Sequence, residues 1–189
     1  MCVVTEPCIL DMLTYMSTVQ FVTSCHPQHG SVTMNGRLVW EGYYCFDPKL
    51  RRRATNLLLI DPSTCTLRTD PITFETDNVN LGTFPTSLHP PALLQYLNVN
   101  LTQGDVVAGL SFDDAMFLIK DNETLKQAFR ANLGIELEGL TYRDSFAFIA
   151  QKGYLGKKVF ETVPAEESKT NPARLKIAVT GTGLDIVAV

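Results

Sequence analysis

One stretch of the sequence, from Gly139 to Gly153, joins a polar entrance to a continuous apolar run and then to a basic turn. The entrance contains Tyr142, Arg143 and Asp144, and the apolar run covers residues 145–150. A short apolar run bounded by polar and glycine residues is typical of a buried β-strand. The arginine and the aspartate that precede this strand either bind a ligand or form hydrogen bonds within the loop.

Similar patterns recur along the chain and predict a protein built mainly of strands. The dipeptide Asn35-Gly36, between residues 31–34 and 37–41, is a strong signal for a β-hairpin. The tail 184–189 is either an edge strand or a swapped element. Alternating or continuous apolar runs predict further strands at 14–24, 56–60, 67–76, 105–112, 154–161 and 174–179.

Two short helices are predicted between these strands. Residues 90–91, both proline, suit the first turn of a helix over 92–97. Asp121 or Asn122 can cap a second helix, which should stop at Gly134. Many strands with two or three short helices indicate a mixed, mainly antiparallel sheet protein. Because strict βαβ alternation is absent, a doubly wound nucleotide-binding fold is disfavoured.

Length and composition fit one folded domain. The chain has 189 residues, of which 45% are hydrophobic and 19% charged, enough for a substantial core. A net charge of -4 argues against general nucleic-acid binding, and the short basic cluster at 49–53 is typical of a solvated loop. No run has the apolar length of a membrane-spanning helix, so we expect no membrane insertion. No signal-peptide pattern is recognised, so the chain is either not exported or is a mature or excised piece.

The cysteines and two glycosylation sequons bear on the compartment. Five cysteines, at positions 2, 8, 25, 45 and 65, leave at least one unpaired within the chain or paired elsewhere. Buried free thiols are the simple alternative. The sequons at 100–102 and 122–124 matter only in a secretory compartment.

The chemistry-bearing residues form no recognised catalytic or cofactor pattern. Cys25, His26 and His29 lack a fourth ligand at tetrahedral spacing, so a water-exposed loop is favoured over a zinc site. The Gly-Thr-Gly at 181–183 lacks both the third glycine and the following helix of a phosphate loop. We therefore expect no metal and no cofactor.

Three charged residues remain open to several interpretations. Asp113 and Asp114 are either paired carboxylates for acid–base chemistry, as in a hydrolase, or a strand-end turn. Asp113 can also accept hydrogen bonds from sugar hydroxyls. Arg143 offers a planar fork of donors for paired hydroxyls or a carboxylate, and its structural alternative is an ion pair with Asp144 or Asp113.

Several of these segments together resemble one protein family. Residues 140–153, LTYRDSFAFIAQKG, resemble the "aFRDSWvFvGaKG" segment of the interleukin-like EMT inducer domain. Residues 53–61, RATNLLLID, resemble the family's "GRGiniavlN" strand, and residues 73–76 its following "kaFDt". Residues 112–114, followed by 125–134, resemble "sYDDp … tkklfseLGS".

This domain occurs in secreted cytokine-like proteins, in the stem of the protein O-mannose N-acetylglucosaminyltransferase and in cell-surface hyaluronidase proteins. The resemblance implies an α+β fold of two mainly antiparallel β-sheets packed together, with two or three short flanking helices (β-β-α type). It implies no catalytic centre. Residues 1–30 are expected to form an amino-terminal cysteine-containing segment packed on a domain over residues 31–189.

The resemblance also implies a ligand and a set of contacts. In the glycosyltransferase stem this module binds β-linked N-acetylglucosamine, and the corresponding contacts here are Arg53, Asp113 and Arg143, with Asp144 and Asp114 as supporting residues. The expected function is non-enzymatic, lectin-like binding of a glycan such as a β-linked N-acetylhexosamine. The alternative is a secreted, cytokine-like signalling protein that binds a cell-surface receptor. The expected partners are accordingly a glycan or glycoprotein, or that receptor, with a second copy of the chain as a further candidate, in the secretory lumen or outside the cell.

The chain departs from the family pattern in its glycines, one aromatic residue and its cysteines. Arg52 and Ala54 replace the glycines of "GRG", and Phe146 replaces a tryptophan. The amino-terminal cysteines at 2, 8 and 25 resemble the "CglpqpC … iC" of the cytokine-like members, which implies a disulfide between Cys2 and Cys25. The family's late cysteine has no counterpart here. The cysteine at 8 therefore lacks its expected partner. Those at 45 and 65 lie outside the family's pattern, and bonding to each other or to the cysteine at 8 is an open alternative to free thiols.

Overall fold

A computed structural model describes residues 8–14, 26–44, 54–74, 90–112, 116, 118–141, 144–164, 173–180 and 183–188. In this part of the chain, eleven strands form two antiparallel sheets, accompanied by two short helices. The mainly antiparallel architecture predicted from the sequence is confirmed. A third helix and the β-β-α arrangement stay predictions.

The first sheet joins strands from both ends of the described chain. Its order is β11-β10-β1-β2-β3, where the strands are β1 (Cys8–Thr14), β2 (His26–Met34), β3 (Arg37–Tyr44), β10 (Ala173–Thr180) and β11 (Gly183–Ala188). β1 is central and pairs antiparallel with β2 on one side and β10 on the other. The tail is thus an edge strand beside β10.

The hairpin between β2 and β3 forms where the sequence predicts it. Asn35 and Gly36 both have positive φ, of 49° and 76°, as a type I′ turn requires. The amide oxygen of Asn35 accepts a hydrogen bond of 2.8 Å from the backbone N–H of Ile9, so the turn is also tied to β1. The strand predicted at 14–24 shares only Thr14 with the structure, because β1 ends at that residue. The rest of that prediction, residues 15–24, lies outside the described part.

The second sheet is formed by the middle of the chain. Its order is β5-β4-β7-β8-β9, with β6 also paired to β4. The strands are β4 (Ala54–Asp61), β5 (Thr66–Leu67), β6 (Ile72–Phe74), β7 (Val106–Phe112), β8 (Ser145–Gln151) and β9 (Lys158–Val163). The strand predicted at 67–76 is in fact two short strands. The one predicted from 154 begins at Lys158, because Tyr154 and Lys157 form a turn with a backbone hydrogen bond of 2.8 Å.

The helices lie on the outer face of the second sheet. α1 (Pro90–Gln95) begins at the first proline and continues as a π-helical segment, Tyr96–Asn100. α2 (Glu123–Leu133) is capped by Asn122 rather than Asp121, since the Asn122 amide oxygen accepts from the Leu125 N–H at 3.0 Å. Gly134 ends this helix in the left-handed region, at φ 69°. None of the helices in the described ranges is long and apolar enough to cross a membrane.

Two apolar clusters cover both faces of the second sheet. One lies between the sheets and includes Leu10, Met12 and Trp40 of the first sheet and Leu58, Leu110 and Ile149 of the second. The other lies between the second sheet and the helices and includes Leu57, Phe146, Phe148, Leu93 and Phe129. All seven residues of β8 are buried, which explains why this strand is continuously apolar rather than alternating.

Candidate functional site

Three strands of the second sheet have termini at one end of that sheet. β4 begins there with Ala54, which lies opposite Phe112, the last residue of β7. β8 also begins there, because its register with β7 places Ala147 opposite Leu110 and continues toward Ser145. β4, β7 and β8 are thus neighbours at this end of the sheet, although they are far apart in the sequence.

The predicted ligand contacts flank these strand termini in the sequence. Arg53 precedes the first residue of β4, Asp113 follows the last residue of β7, and Arg143 lies two residues before β8. These three residues and the predicted support Asp114 lie outside the described residues, as do Cys2 and Cys25. The structure does describe the end of the sheet to which these residues are adjacent in the sequence.

Buried polar residues concentrate at this end of the sheet. Five of the buried polar or charged residues in the described ranges lie here, and we call them the polar end: Thr55, Asn56, Ser111, Asp144 and Ser145. Buried polar side chains persist only where hydrogen bonds compensate for lost water. The other two buried polar residues of the described ranges, Asp105 and Gln151, lie at the opposite end, so most of the buried polar side chains are gathered here.

Ser111 links two strands at the polar end. Its hydroxyl accepts a hydrogen bond of 2.7 Å from the Phe146 N–H and donates one of 3.3 Å to the Phe146 carbonyl oxygen. Ser111 lies in β7 and Phe146 in β8, and both are almost completely buried. The hydroxyl therefore fixes the separation of these strands one residue before β7 ends.

A second side-chain hydrogen bond joins the neighbouring strands β4 and β6. The Thr73 hydroxyl donates to the amide oxygen of Asn56 at 2.8 Å. These residues lie directly opposite each other in the register of the two strands. Side chains thus supplement the backbone ladder at the start of β4, next to position 53.

Asp144 closes the loop that leads into β8. One of its carboxylate oxygens accepts from the Thr141 N–H at 2.7 Å and from the Thr141 hydroxyl at 3.1 Å. The Asp144 N–H in turn donates to the Thr141 carbonyl oxygen at 3.2 Å. With only 8% of its surface exposed, Asp144 links Thr141 to the residue that directly precedes β8. Its role as support for a ligand contact stays a prediction.

The opposite end of the second sheet carries a network that the sequence did not reveal. Asp105, which precedes β7, forms an ion pair with Arg68 and accepts a hydrogen bond of 2.8 Å from the Thr102 N–H. The Lys152 N–H donates to the Asp105 carbonyl oxygen at 2.9 Å. Arg68, Asp105 and Lys152 are distant in the sequence and the fold brings them together, so no local motif could have found them.

Burial shifts two ionisation equilibria in this network. Burial raises the pKa of the Tyr96 phenol, and the Asp105 charge raises it further, against an opposing effect of Arg68. Burial lowers the pKa of Lys152, and Asp105 opposes that effect. The Lys152 ammonium also donates to the carbonyl oxygen of Leu97, in the π-helical segment. The charges here have protein partners and brace the sheet against that segment.

No group of three or more His, Cys, Asp or Glu side chains within the described ranges is placed to hold a metal ion. Cys25 and the side chains of His26 and His29 lie outside the described residues, and the expectation of no metal stays a prediction. An open cavity of about 530 Å³ lies at the start of α2, and its lining includes Lys120, Asn122 and Thr124.

Comparison with known proteins finds a family match for the middle of the chain. A family model described as "Interleukin-like EMT inducer" matches residues 53–154, which is more than half of the chain. The matched segment begins at Arg53 and spans β4 to β8, so it contains the whole polar end. No curated protein was found to match the chain.

Proposed function

Because the chain belongs to the interleukin-like EMT inducer family, we propose that it is a non-enzymatic, lectin-like module that binds a glycan at the polar end of the second sheet. The proposed ligand is a glycan such as a β-linked N-acetylhexosamine. The proposed contacts are Arg53, Asp113 and Arg143, with Asp144 and Asp114 in support.

The observation that carries the proposal is the register of β4, β7 and β8. It aligns Ala54 with Phe112 and brings the start of β8 to the same end of the sheet. Neighbouring strands are about 4.8 Å apart, and successive Cα atoms are about 3.8 Å apart. Residues one or two positions beyond these termini would therefore be within reach of a single sugar ring, and this proximity supports the proposal.

The residue types suit a polar, uncharged ligand. A guanidinium group donates pairs of parallel hydrogen bonds, which match vicinal hydroxyls or an acetamido carbonyl oxygen. A carboxylate accepts hydrogen bonds from sugar hydroxyls. Two arginines and an aspartate, Arg53, Arg143 and Asp113, would thus supply both donors and acceptors to an N-acetylhexosamine.

The sheet behind the polar end supports a preorganised site. Phe146 and Phe148 of β8 are fully buried, and their stacked rings have centroids 6.4 Å apart. The Ser111 hydroxyl and the Asp144 carboxylate hold the adjoining backbone. Sites that begin from rigid elements bind with a smaller ordering cost than sites on long free loops.

A glycan array followed by titration calorimetry tests the proposal. Wild-type protein should bind β-linked N-acetylhexosamine glycans, and Arg143→Ala should weaken binding at least about tenfold, because a lost charged hydrogen bond is worth about 1.5–3 kcal/mol. Arg130→Ala is the matched control. Arg130 is an exposed arginine on α2 that pairs with Glu136 and Glu138, so its loss should leave affinity unchanged. Binding that is independent of Arg143, or no binding to any glycan, would contradict the proposal.

The second candidate, a secreted signalling protein that binds a cell-surface receptor, is favoured by the amino-terminal cysteines. Cys2 and Cys25 lie on either side of β1, and Cys25 directly precedes β2. A disulfide between them would link the chain before the central strand of the first sheet to the start of its neighbour. A non-reducing peptide map should then contain the disulfide-linked Cys2–Cys25 peptide. Two free thiols would count against the secreted signalling protein.

A further inference from the structure

We propose that Asn100 accepts an N-linked glycan when the chain passes through a secretory compartment, and that Asn122 does not. Both belong to sequons, at 100–102 and 122–124. Their sequences are equally suitable, since each has threonine at the third position. The local structure distinguishes them, independently of whether the polar end binds a sugar.

The first sequon lies across the end of the π-helical segment. Asn100 is exposed and is the last residue of that segment, and Thr102 is exposed as well. Leu101 between them has extended backbone, at φ -71° and ψ 137°, and its side chain is only 3% exposed. The apolar middle residue thus anchors the sequon while both polar residues face solvent. A large sugar on the Asn100 amide displaces no interaction of the described residues.

The second sequon starts a helix. The Asn122 amide oxygen caps α2 by accepting the Leu125 N–H at 3.0 Å, and residues 123 and 124 form the first helical turn. A sugar on the Asn122 nitrogen would have to fit the single side-chain orientation that keeps this cap. Asn122 also lines the cavity at the start of α2, beside Lys120 and Glu123. Glycosylation there competes with helix capping.

The location of Asn100 separates its glycan from the proposed ligand site. Leu97, three residues earlier, accepts a hydrogen bond from Lys152 at the end of the sheet where β7 begins. Thr102 donates to Asp105 at that same end. A glycan on Asn100 would therefore project from the end opposite to the polar end and leave the latter accessible.

The modification is a group transfer without oxidation or reduction. The Asn100 side-chain nitrogen bonds to the anomeric carbon of an oligosaccharide carried on a polyprenyl diphosphate. The bond from that carbon to the diphosphate oxygen breaks, and the lipid diphosphate leaves with the electron pair. The nitrogen loses one proton to a base of the transferring enzyme.

The test uses the full chain directed into the secretory pathway of eukaryotic cells, recovered from both medium and membrane-enclosed compartments. Intact mass and peptide mapping are measured before and after enzymatic removal of N-glycans, which converts each occupied asparagine to aspartate. Thr102→Ala and Thr124→Ala form a matched pair, because each destroys one sequon while both asparagines and the α2 cap remain.

We expect wild-type protein and Thr124→Ala to carry one glycan, at position 100, and Thr102→Ala to carry none. An unglycosylated wild-type chain would overturn the inference. So would a glycan on Asn122 in any of the three proteins. Because the readout is mass, the result does not depend on whether the polar end binds a glycan.

Discussion

Replacing Ser111 by alanine tests whether one buried hydroxyl holds the polar end together. The substitution removes the only side-chain oxygen of Ser111 and leaves the Phe146 N–H and carbonyl oxygen without this partner. Both residues are at most 1% exposed, so water cannot replace the hydroxyl without opening the sheet. The bond of 3.3 Å is long, and most of the loss comes from the bond of 2.7 Å to the N–H.

The expected magnitude follows from that single strong bond. An unsatisfied buried donor costs about 1–3 kcal/mol. For a chain of this length each kcal/mol corresponds to about 2–4 °C in melting temperature. We therefore expect Ser111→Ala to melt roughly 2–12 °C below wild type.

The assay is urea denaturation followed by tryptophan fluorescence, together with thermal melting. Trp40 is the only tryptophan in the sequence and lies between the two sheets, 3% exposed, so its emission reports on the packing of the whole sandwich. Ser111→Thr is the control, because it keeps the hydroxyl and is compatible with a strand. It should lose less stability than the alanine variant. A Ser111→Ala protein within about 0.5 kcal/mol of wild type would refute the reasoning.

Three further predictions concern a cap, a close contact and an ionisation. Asn122→Ala should lower the free energy of unfolding by about 0.5–2 kcal/mol, while Asn122→Asp keeps the cap and should lose little in urea denaturation. Gly109→Ala should cost about 1–3 kcal/mol in the same assay, because a Cβ there would overlap the buried Phe148 ring, and a stable variant would contradict that packing. The pKa of Tyr96 is raised in the folded state. The neutral phenol therefore makes its full contribution to the free energy of unfolding below the ordinary pKa of 10.0, and that contribution is lost as the pH rises above this value. Alkaline unfolding should therefore begin at lower pH in wild type than in Tyr96→Phe, and identical profiles would contradict this assignment.

Local patterns in the sequence predicted the elements whose boundaries depend on residues adjacent in the sequence. The hairpin at Asn35-Gly36 and the stop of α2 at Gly134 follow from backbone conformations that these residues adopt at low cost, and the structure has both. β7 and β8 also lie where continuous apolar runs predict them. The first residues of strands were less predictable. β9 begins at Lys158 rather than at 154, because a turn whose composition resembles that of a strand precedes its first paired residue.

The sequence identified some residues of the candidate site, and the structure identified others. The sequence, through its family resemblance, singled out Arg53, Asp113 and Arg143. It contained no signal for Ser111 or for the pairing of Asn56 with Thr73, because serine, asparagine and threonine in a strand are ordinary until their burial is known.

What the sequence by itself determined, then, is most of the strands and both helices of the described ranges, since side-chain periodicity and turn chemistry act over a few residues. Only the tertiary structure decided that β1 lies between β2 and β10, and that β4, β7 and β8 share one polar end. The physical reason is that pairing partners are selected by burying both faces of a sheet and satisfying its hydrogen bonds at once. Those conditions join residues that are distant in the sequence, and no local pattern records them.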